Sequence, residues 1–144
     1  MVISEKKQKL TSAEDVYKVM RSILKNEDPI SQEREHFWVI GVNTKNVIQY
    51  IELCSLGTLN NSLVHPREIF RFAVSKGTNS IILCHNHPSG DPEPSKEDER
   101  VTEKVEDAGE ILGIKLLDHV IIGDACFFSM MEKGYMANSR KGVV

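Results

Sequence analysis

Apolar residues recur along this chain with two different periods, and the period separates helices from strands. Val16, Val19, Met20, Ile23 and Leu24 fall three or four apart behind Thr11-Ser12-Ala13-Glu14, which has the form of a capping box, so the pattern predicts a helix over 12–26. Asn26-Glu27-Asp28-Pro29 ends it. From 35 to 42 the chain is rich in β-branched and aromatic residues (Phe37, Trp38, Val39, Ile40, Val42), and 47–56 reads as a second strand across an Asn43-Thr44-Lys45-Asn46 turn. His65-Pro66 opens a helix with proline at its first position, Ile69, Phe70, Ala73 and Val74 form its buried face, and Gly77 is its C′ residue. The apolar run 80–85 is a strand. Three of the five prolines lie within 88–94, which makes 86–94 a loop. An amphipathic helix follows from Ser95 to Leu112, stopped by Gly113, and strands at 116–122 and 126–129 flank a Gly123-Asp124 turn. Beyond Met130 neither period is present.

The order α-β-β-α-β-α-β-β is that of an α/β domain, a mixed sheet flanked by helices. A chain of 144 residues holds one such domain with a real core and not two. We place an amino-terminal helical extension at 1–29, the domain at 30–130 and a carboxy-terminal tail at 131–144. With 40% hydrophobic and 27% charged residues the balance is that of a globular chain. No stretch reaches the roughly 20 apolar residues of a membrane span, and the lysines before Leu10 lack the apolar run of a secretory signal. Cys54, Cys84 and Cys126 lie far apart with no CxxC pair, which reads as reduced thiols in a cytoplasmic protein. A net charge of −3, without a basic stripe, argues against nucleic acid as the main partner. The outer edge of the hairpin is the candidate surface for a homodimer.

The chemistry concentrates in 85–98. His85 and His87 close a strand, where side chains at i and i+2 share a face about 6.5 Å apart. Two imidazoles so placed can converge on one ion at the ~2.0–2.1 Å of zinc–nitrogen bonds. Asp98 lies eleven residues beyond His87, and a short loop plus one helical turn can swing its carboxylate back. Two nitrogens and one oxygen leave a fourth position for water, the arrangement of catalytic rather than structural zinc. Each piece has a plainer reading. A His-x-His at a strand end is commonly a hydrogen-bonding pair, and Ser95-x-x-Asp98 is also a capping box. Joined by a Pro/Gly loop, the two features together favour the metal.

His85-x-His87, seven residues, Ser95, two residues and Asp98 match, position for position, the JAMM motif of the MPN+ metalloprotease superfamily. With His65-Pro66-Arg67-Glu68-Ile69-Phe70, His85 to Asp91 and Leu116 to Gly123, the chain resembles the RadC branch of that superfamily over about 30–130. The resemblance implies an MPN/JAB-like fold with layering like that of the cytidine deaminases. It implies one zinc ion (Zn2+) per chain held by His85, His87 and Asp98, with Ser95 beside the water. It also implies a glutamate on an early strand as general base, a position matched by Glu35, fifty residues before His85. Residue chemistry alone leaves Glu33, Glu52 and Glu68 eligible. The activity implied is hydrolysis of a peptide or isopeptide bond in a peptide or protein substrate. The metal acidifies water, Glu35 takes its proton, and Ser95 steadies the developing oxyanion.

Other readings fit less of the chain. The H-x-E…P-C-x-x-C pattern of a zinc nucleobase deaminase is missing, and the letters His-Asn-His are not the dispersed HNH nuclease motif. The alternative from another class is a DNA-repair-associated binding module with a metal site and no peptidase turnover. A scaffold with an intact but idle site is a third reading. Asp118-His119 suggests a carboxylate orienting an imidazole, though structural hydrogen bonding explains it as well. Cys84 should point into the core. His36 and His65 read as surface or cap residues, and the acidic face of the helix after Ser95 reads as solvated surface.

Overall fold

The computed structural model describes residues 2–4, 8–56 and 65–137. The helices begin where the polar caps dictate. Helix α1 (Ala13–Lys25) starts at Ser12, whose hydroxyl accepts the Asp15 N–H at 3.3 Å, while the Asp15 carboxylate accepts the Thr11 N–H at 2.8 Å. The cap therefore lies one residue later than the Thr11–Glu14 box. A four-residue helix absent from the sequence reading, α2 (Pro29–Gln32), follows under an Asp28 cap. Helix α3 (Pro66–Lys76) runs from Pro66 to a left-handed Gly77, and α4 (Lys96–Leu112) from Ser95 to a left-handed Gly113.

Between them six strands form one mixed sheet in the order β1-β3-β2-β4-β5-β6. They are β1 (Val2–Ser4), β2 (His36–Val42), β3 (Ile48–Leu56), β4 (Ser80–Asn86), β5 (Lys115–Ile122) and β6 (Phe127–Ser129). Only β4 and β5 pair in parallel, joined through α4; the other neighbours are antiparallel. The β2–β3 turn is built by Asn43, whose side-chain oxygen accepts the N–H groups of Lys45 and Val47 at 2.9 and 3.0 Å. The expected α/β architecture, a mixed sheet flanked by helices, is what the chain adopts.

Side-chain alternation divides the core into two layers. On one face Phe37, Val39, Ile81 and Leu83 meet Ile69 and Phe70 of α3 and Val101 and Val105 of α4. On the other, Trp38, Ile40, Ile82 and Cys84 meet Val16, Val19 and Met20 of α1. Residues assigned from sequence to an extension thus supply five of the fourteen buried residues of this second layer, and Tyr17 stacks on Phe127 at 5.0 Å. Beyond Met130 the chain turns back so that Met130 and Met136 are fully buried against the α3/α4 layer. Cys84 is buried as expected, and all three cysteines are free.

One expectation loses its basis. The outer edge of β3 is not open to a second copy, because β1 pairs with it and Gln8 to Leu10 continue the contact. The Ile48 N–H reaches the Gln8 carbonyl and the Leu10 N–H the Asn46 carbonyl, both at 2.8 Å. An unpaired edge in a hydrophobic sheet is a liability, and here the chain covers it itself.

Gly41 stands opposite Tyr50 in the β2–β3 register, and a Cβ there would overlap the fully buried phenol ring. Gly41→Ala is expected to lower stability by about 1–3 kcal/mol, the cost of overpacking a core. Urea unfolding should show this as a lower midpoint with an unchanged slope.

Candidate metal centre

Because Ile81 and Leu83 face α3 and α4, alternation carries His85 and His87 onto the same face at the end of β4. Asp98 comes to meet them from the first turn of α4. Its carboxylate is set by a complete capping box: Ser95 Oγ accepts the Asp98 N–H at 3.1 Å, and Asp98 Oδ2 accepts the Ser95 N–H at 2.8 Å. The plain capping reading is therefore realised, and the cap aims the carboxylate toward the two histidines. Asp98 Oδ1 lies 3.1 Å from His85 Nε2, Asp98 Oδ2 lies 3.1 Å from His87 Nε2, and the two Nε2 atoms are 3.0 Å apart. Among the described residues these three form the group whose ligand atoms converge as a metal requires. Donors bound to one ion at ~2.0–2.1 Å in tetrahedral array stand roughly 3.3 Å apart, so the spacing fits a small divalent cation.

The donor chemistry fits too. His87 Nδ1 lies 2.9 Å from the Asp91 carbonyl, which can only accept, so Nδ1 carries the proton and Nε2 presents its lone pair. His85 Nδ1 is engaged at 2.7 Å by His119 Nε2. His119 is completely buried, and Thr102 Oγ1 meets its Nδ1 at 2.6 Å. Anchoring the outer nitrogen of a ligand histidine fixes its ring and tautomer. His85 and Asp98 are buried while the His87 side chain is 15% exposed, so the centre opens to solvent on the His87 side.

Burial would raise the Asp98 carboxyl, but the contacts with His85 and His87 and the Ser95 N–H outweigh it and hold it well below the usual carboxylate range. The same Asp98 contact raises His87 above its ordinary value, against the opposing effect of burial, with the Asp91 carbonyl and the Glu35 charge adding to the rise. Burial, with help from His85, pushes His119 far below the ordinary imidazole value, so this ring is neutral.

Glu35 precedes β2 and is half-buried. Phe37 pairs with His85, and continuing that antiparallel register by two residues sets Glu35 opposite His87, consistent with its charge being felt there. The backbone on both sides of Glu35 is held by Asn86, the residue between the two histidines. Asn86 Oδ1 accepts the His36 N–H at 2.6 Å and Asn86 Nδ2 donates to the Arg34 carbonyl at 3.0 Å. His36 joins this bracket and corrects the surface reading. It is buried, stacks on Trp38 at 5.0 Å, and directs Nδ1 to the Arg34 carbonyl at 2.8 Å. Its Nε2 stands 2.8 Å from Glu27 Oε2, at ion-pair distance though without hydrogen-bond alignment. Ser95 is exposed; its oxygen serves the cap and its own proton stays available to donate.

The proline-rich loop is tied down from below. His87 N–H donates to the Ile122 carbonyl and Asp124 N–H to the Gly90 carbonyl, each at 2.8 Å. A side chain at Gly123 would collide with Gly90 and Pro92, so the β5–β6 turn and the loop pack backbone to backbone. Beside His87 this leaves a recess of about 210 Å³ bounded by Asn86, Ser89, Gly90, Leu24 and Gln32.

The Asp118-His119 pair divides differently from its sequence reading. The Asp118 carboxylate accepts the Ser129 hydroxyl at 2.6 Å and the backbone N–H groups of His119 and Met131 at 2.7 and 3.0 Å, a structural role. The His119 ring turns to His85 instead. The β4–β5 register slips by one residue, from Ile81 opposite Leu116 to Ile82 opposite Asp118, and this brings His119 to the α4 face. Nothing in the sequence marks that slip, and Thr102 carried no signal beyond a polar residue on a helix.

A mixed sheet with two histidines at a strand end and a carboxylate on the following helix defines an α/β domain with a candidate metal centre. The chain belongs to the RadC-like JAB domain family, whose model matches residues 10–135. It is 52% identical over 126 residues to a UPF0758 protein of Caldanaerobacter subterraneus, covering 88% of this chain and 52% of that one. A UPF0758 protein of Staphylococcus epidermidis is 47% identical over 129 residues (90% and 55%), and one of Methanosarcina mazei 44% over 134 (93% and 56%). The chain thus spans about half the length of these relatives. Among the described residues no helix is long and apolar enough to cross a membrane.

The raised His87 predicts a pH dependence. Its folded pKa lies above its unfolded value near 6.5, so its contribution to stability is complete below about pH 6.5 and is lost as pH rises through the folded value. Chelator-treated protein should therefore melt at lower temperature as pH is raised from 6.5 to 9. Zinc should reverse the trend, since ion and proton compete for the same Nε2. A melting temperature independent of both would contradict this electrostatic account.

Proposed function

We propose that this chain is a zinc-dependent hydrolase of peptide or isopeptide bonds in a protein substrate, acting in the cytoplasm. The observation that carries the reading is the convergence of His85 Nε2, His87 Nε2 and the Asp98 carboxylate, with spacings of 3.0–3.1 Å and both histidines tied at Nδ1. These three side chains would hold the ion, one per chain. Membership in the JAB family favours hydrolysis over other chemistry of a two-histidine, one-carboxylate set. When bound, the metal acidifies a water and polarises the scissile carbonyl.

The remaining work falls to the chain. Glu35, bracketed by Asn86 and set opposite His87, takes the proton of the attacking water on its carboxylate and returns it to the leaving amine. Ser95 Oγ, exposed at the helix cap, donates its proton toward the oxygen that gains charge. The anchored loop, through Pro88, Ser89 and Gly90, walls one side of a recess beside His87. Free thiols support a reducing compartment.

Elemental analysis of purified protein should give close to one zinc per chain, and His87→Ala should lose most of it. Screening with peptide and isopeptide substrates should then find turnover that Glu35→Gln abolishes with zinc retained. Asn86→Ala should keep its zinc and lose roughly 10–100-fold in kcat, because the base is displaced rather than removed. Protein that stays metal-free after zinc is supplied would sink the hydrolase and favour a DNA-repair-associated binding role. Stoichiometric iron would redirect the chemistry.

A further inference from the structure

Behind the candidate ligands, away from solvent, a run of polar contacts connects one ligand residue to another. His85 Nδ1 meets His119 Nε2 at 2.7 Å, His119 Nδ1 meets Thr102 Oγ1 at 2.6 Å, and Thr102 Oγ1 donates to the Asp98 carbonyl at 2.8 Å. His85, His119, Thr102 and Asp98 are each no more than 2% exposed. The run crosses from β4 through β5 to α4, the two ligand-bearing elements and the strand between them.

Counting protons fixes its direction. A carbonyl oxygen only accepts, and a threonine hydroxyl has one proton to give. Because that proton goes to the Asp98 carbonyl, Thr102 Oγ1 must accept from His119, so His119 Nδ1 carries a hydrogen. A ring this completely buried is disfavoured as a cation, so its Nε2 is bare and accepts from His85, whose Nδ1 therefore also carries a hydrogen. His85 Nε2 is left with its lone pair toward His87 and Asp98. With the His119 ring neutral, reversing any link would leave two buried acceptors face to face at under 3 Å, without a proton between them.

We infer that Thr102 and His119 are positioning residues that lock the His85 tautomer and hold β4 at a fixed distance from α4, with the main-chain carbonyl of Asp98 as the terminus that sets the polarity. Their consequence for affinity rests on the metal reading above; the tautomers themselves do not. Asp98 would therefore shape the centre twice, with its carboxylate as a ligand and with its carbonyl as the end of the chain that prepares His85. His85 Nδ1 and Thr102 Oγ1 together account for both nitrogens of a completely buried imidazole.

The test has two readouts on the full chain. Two-bond nitrogen–hydrogen NMR correlations of the imidazoles, in chelator-treated and in zinc-loaded protein, should show Nδ1 protonated on both His85 and His119. A bare Nδ1 on either ring in the wild type overturns the inference without any variant. Zinc dissociation constants from chelator competition should then rise roughly 10–100-fold in Thr102→Val, which keeps shape but not the hydroxyl, and stay within about threefold in Thr102→Ser. Equal affinity in folded Thr102→Val and wild type overturns it, as does failure of Thr102→Ser to restore binding. If Thr102→Val does not fold, the serine variant and the wild-type tautomers still decide. A wild type that binds no zinc but shows both Nδ1 protons would remove the hydrolase reading and leave this one standing.

Discussion

Asp98 carries constraints that no other residue here combines, and the arrangement around it follows from satisfying them together. Its Oδ2 closes the first turn of α4 by accepting the Ser95 N–H at 2.8 Å, while both oxygens face histidine nitrogens at 3.1 Å. A carboxylate this buried is costly unless its lone pairs are met. The helix must therefore start where it does, and β4 must end where it does. The cap stabilises the helix and also prevents the carboxylate from swinging away from the histidines.

Strand β4 distributes the other roles by alternation. Its odd positions, Ile81, Leu83, His85 and then His87, look toward α3 and α4 and end as core gives way to candidate ligands. Its even positions look toward α1, and the last of them, Asn86, reaches across to the start of β2 and grips the main chain around Glu35. Three consecutive residues thus serve two sides of one strand end. The strand's pairing with β2 over six consecutive residue pairs makes this arrangement stiff. Both strands of that pairing are buried along their whole length in the centre of the sheet.

The proline-rich loop illustrates how rigidity is supplied without regular structure. Its prolines remove conformations, and its few main-chain groups are spent on fixed partners: the Ile122 carbonyl, the Asp124 N–H and the His87 ring. The β5–β6 turn acts as its floor, and only glycine at position 123 permits the approach. The same loop anchors the ring of His87 through the Asp91 carbonyl and walls the recess beside it.

The chain's own letters were enough for three of the four helices and five of the six strands of the described residues, and for the convergence of His85, His87 and Asp98, because those depend on periodicity, caps and short spacing. Residue chemistry left Glu33, Glu35, Glu52 and Glu68 open as general base, and only the resemblance singled out Glu35. Only the tertiary structure could decide which residues stand behind the ligands. Strict alternation from Leu116 sends His119 to the far face, and a one-residue register slip between β4 and β5, a property of two strands at once, brings it back. His36 looked like a surface residue because its partners, Glu27, Arg34 and Asn86, meet only after β2 and β4 pair. The edge of β3 looked open because the segment that covers it lies roughly forty to fifty residues away in sequence. Local order determines which side chains share a face. Contacts between distant segments decide which face of which neighbour they meet, and no period along one strand contains that information.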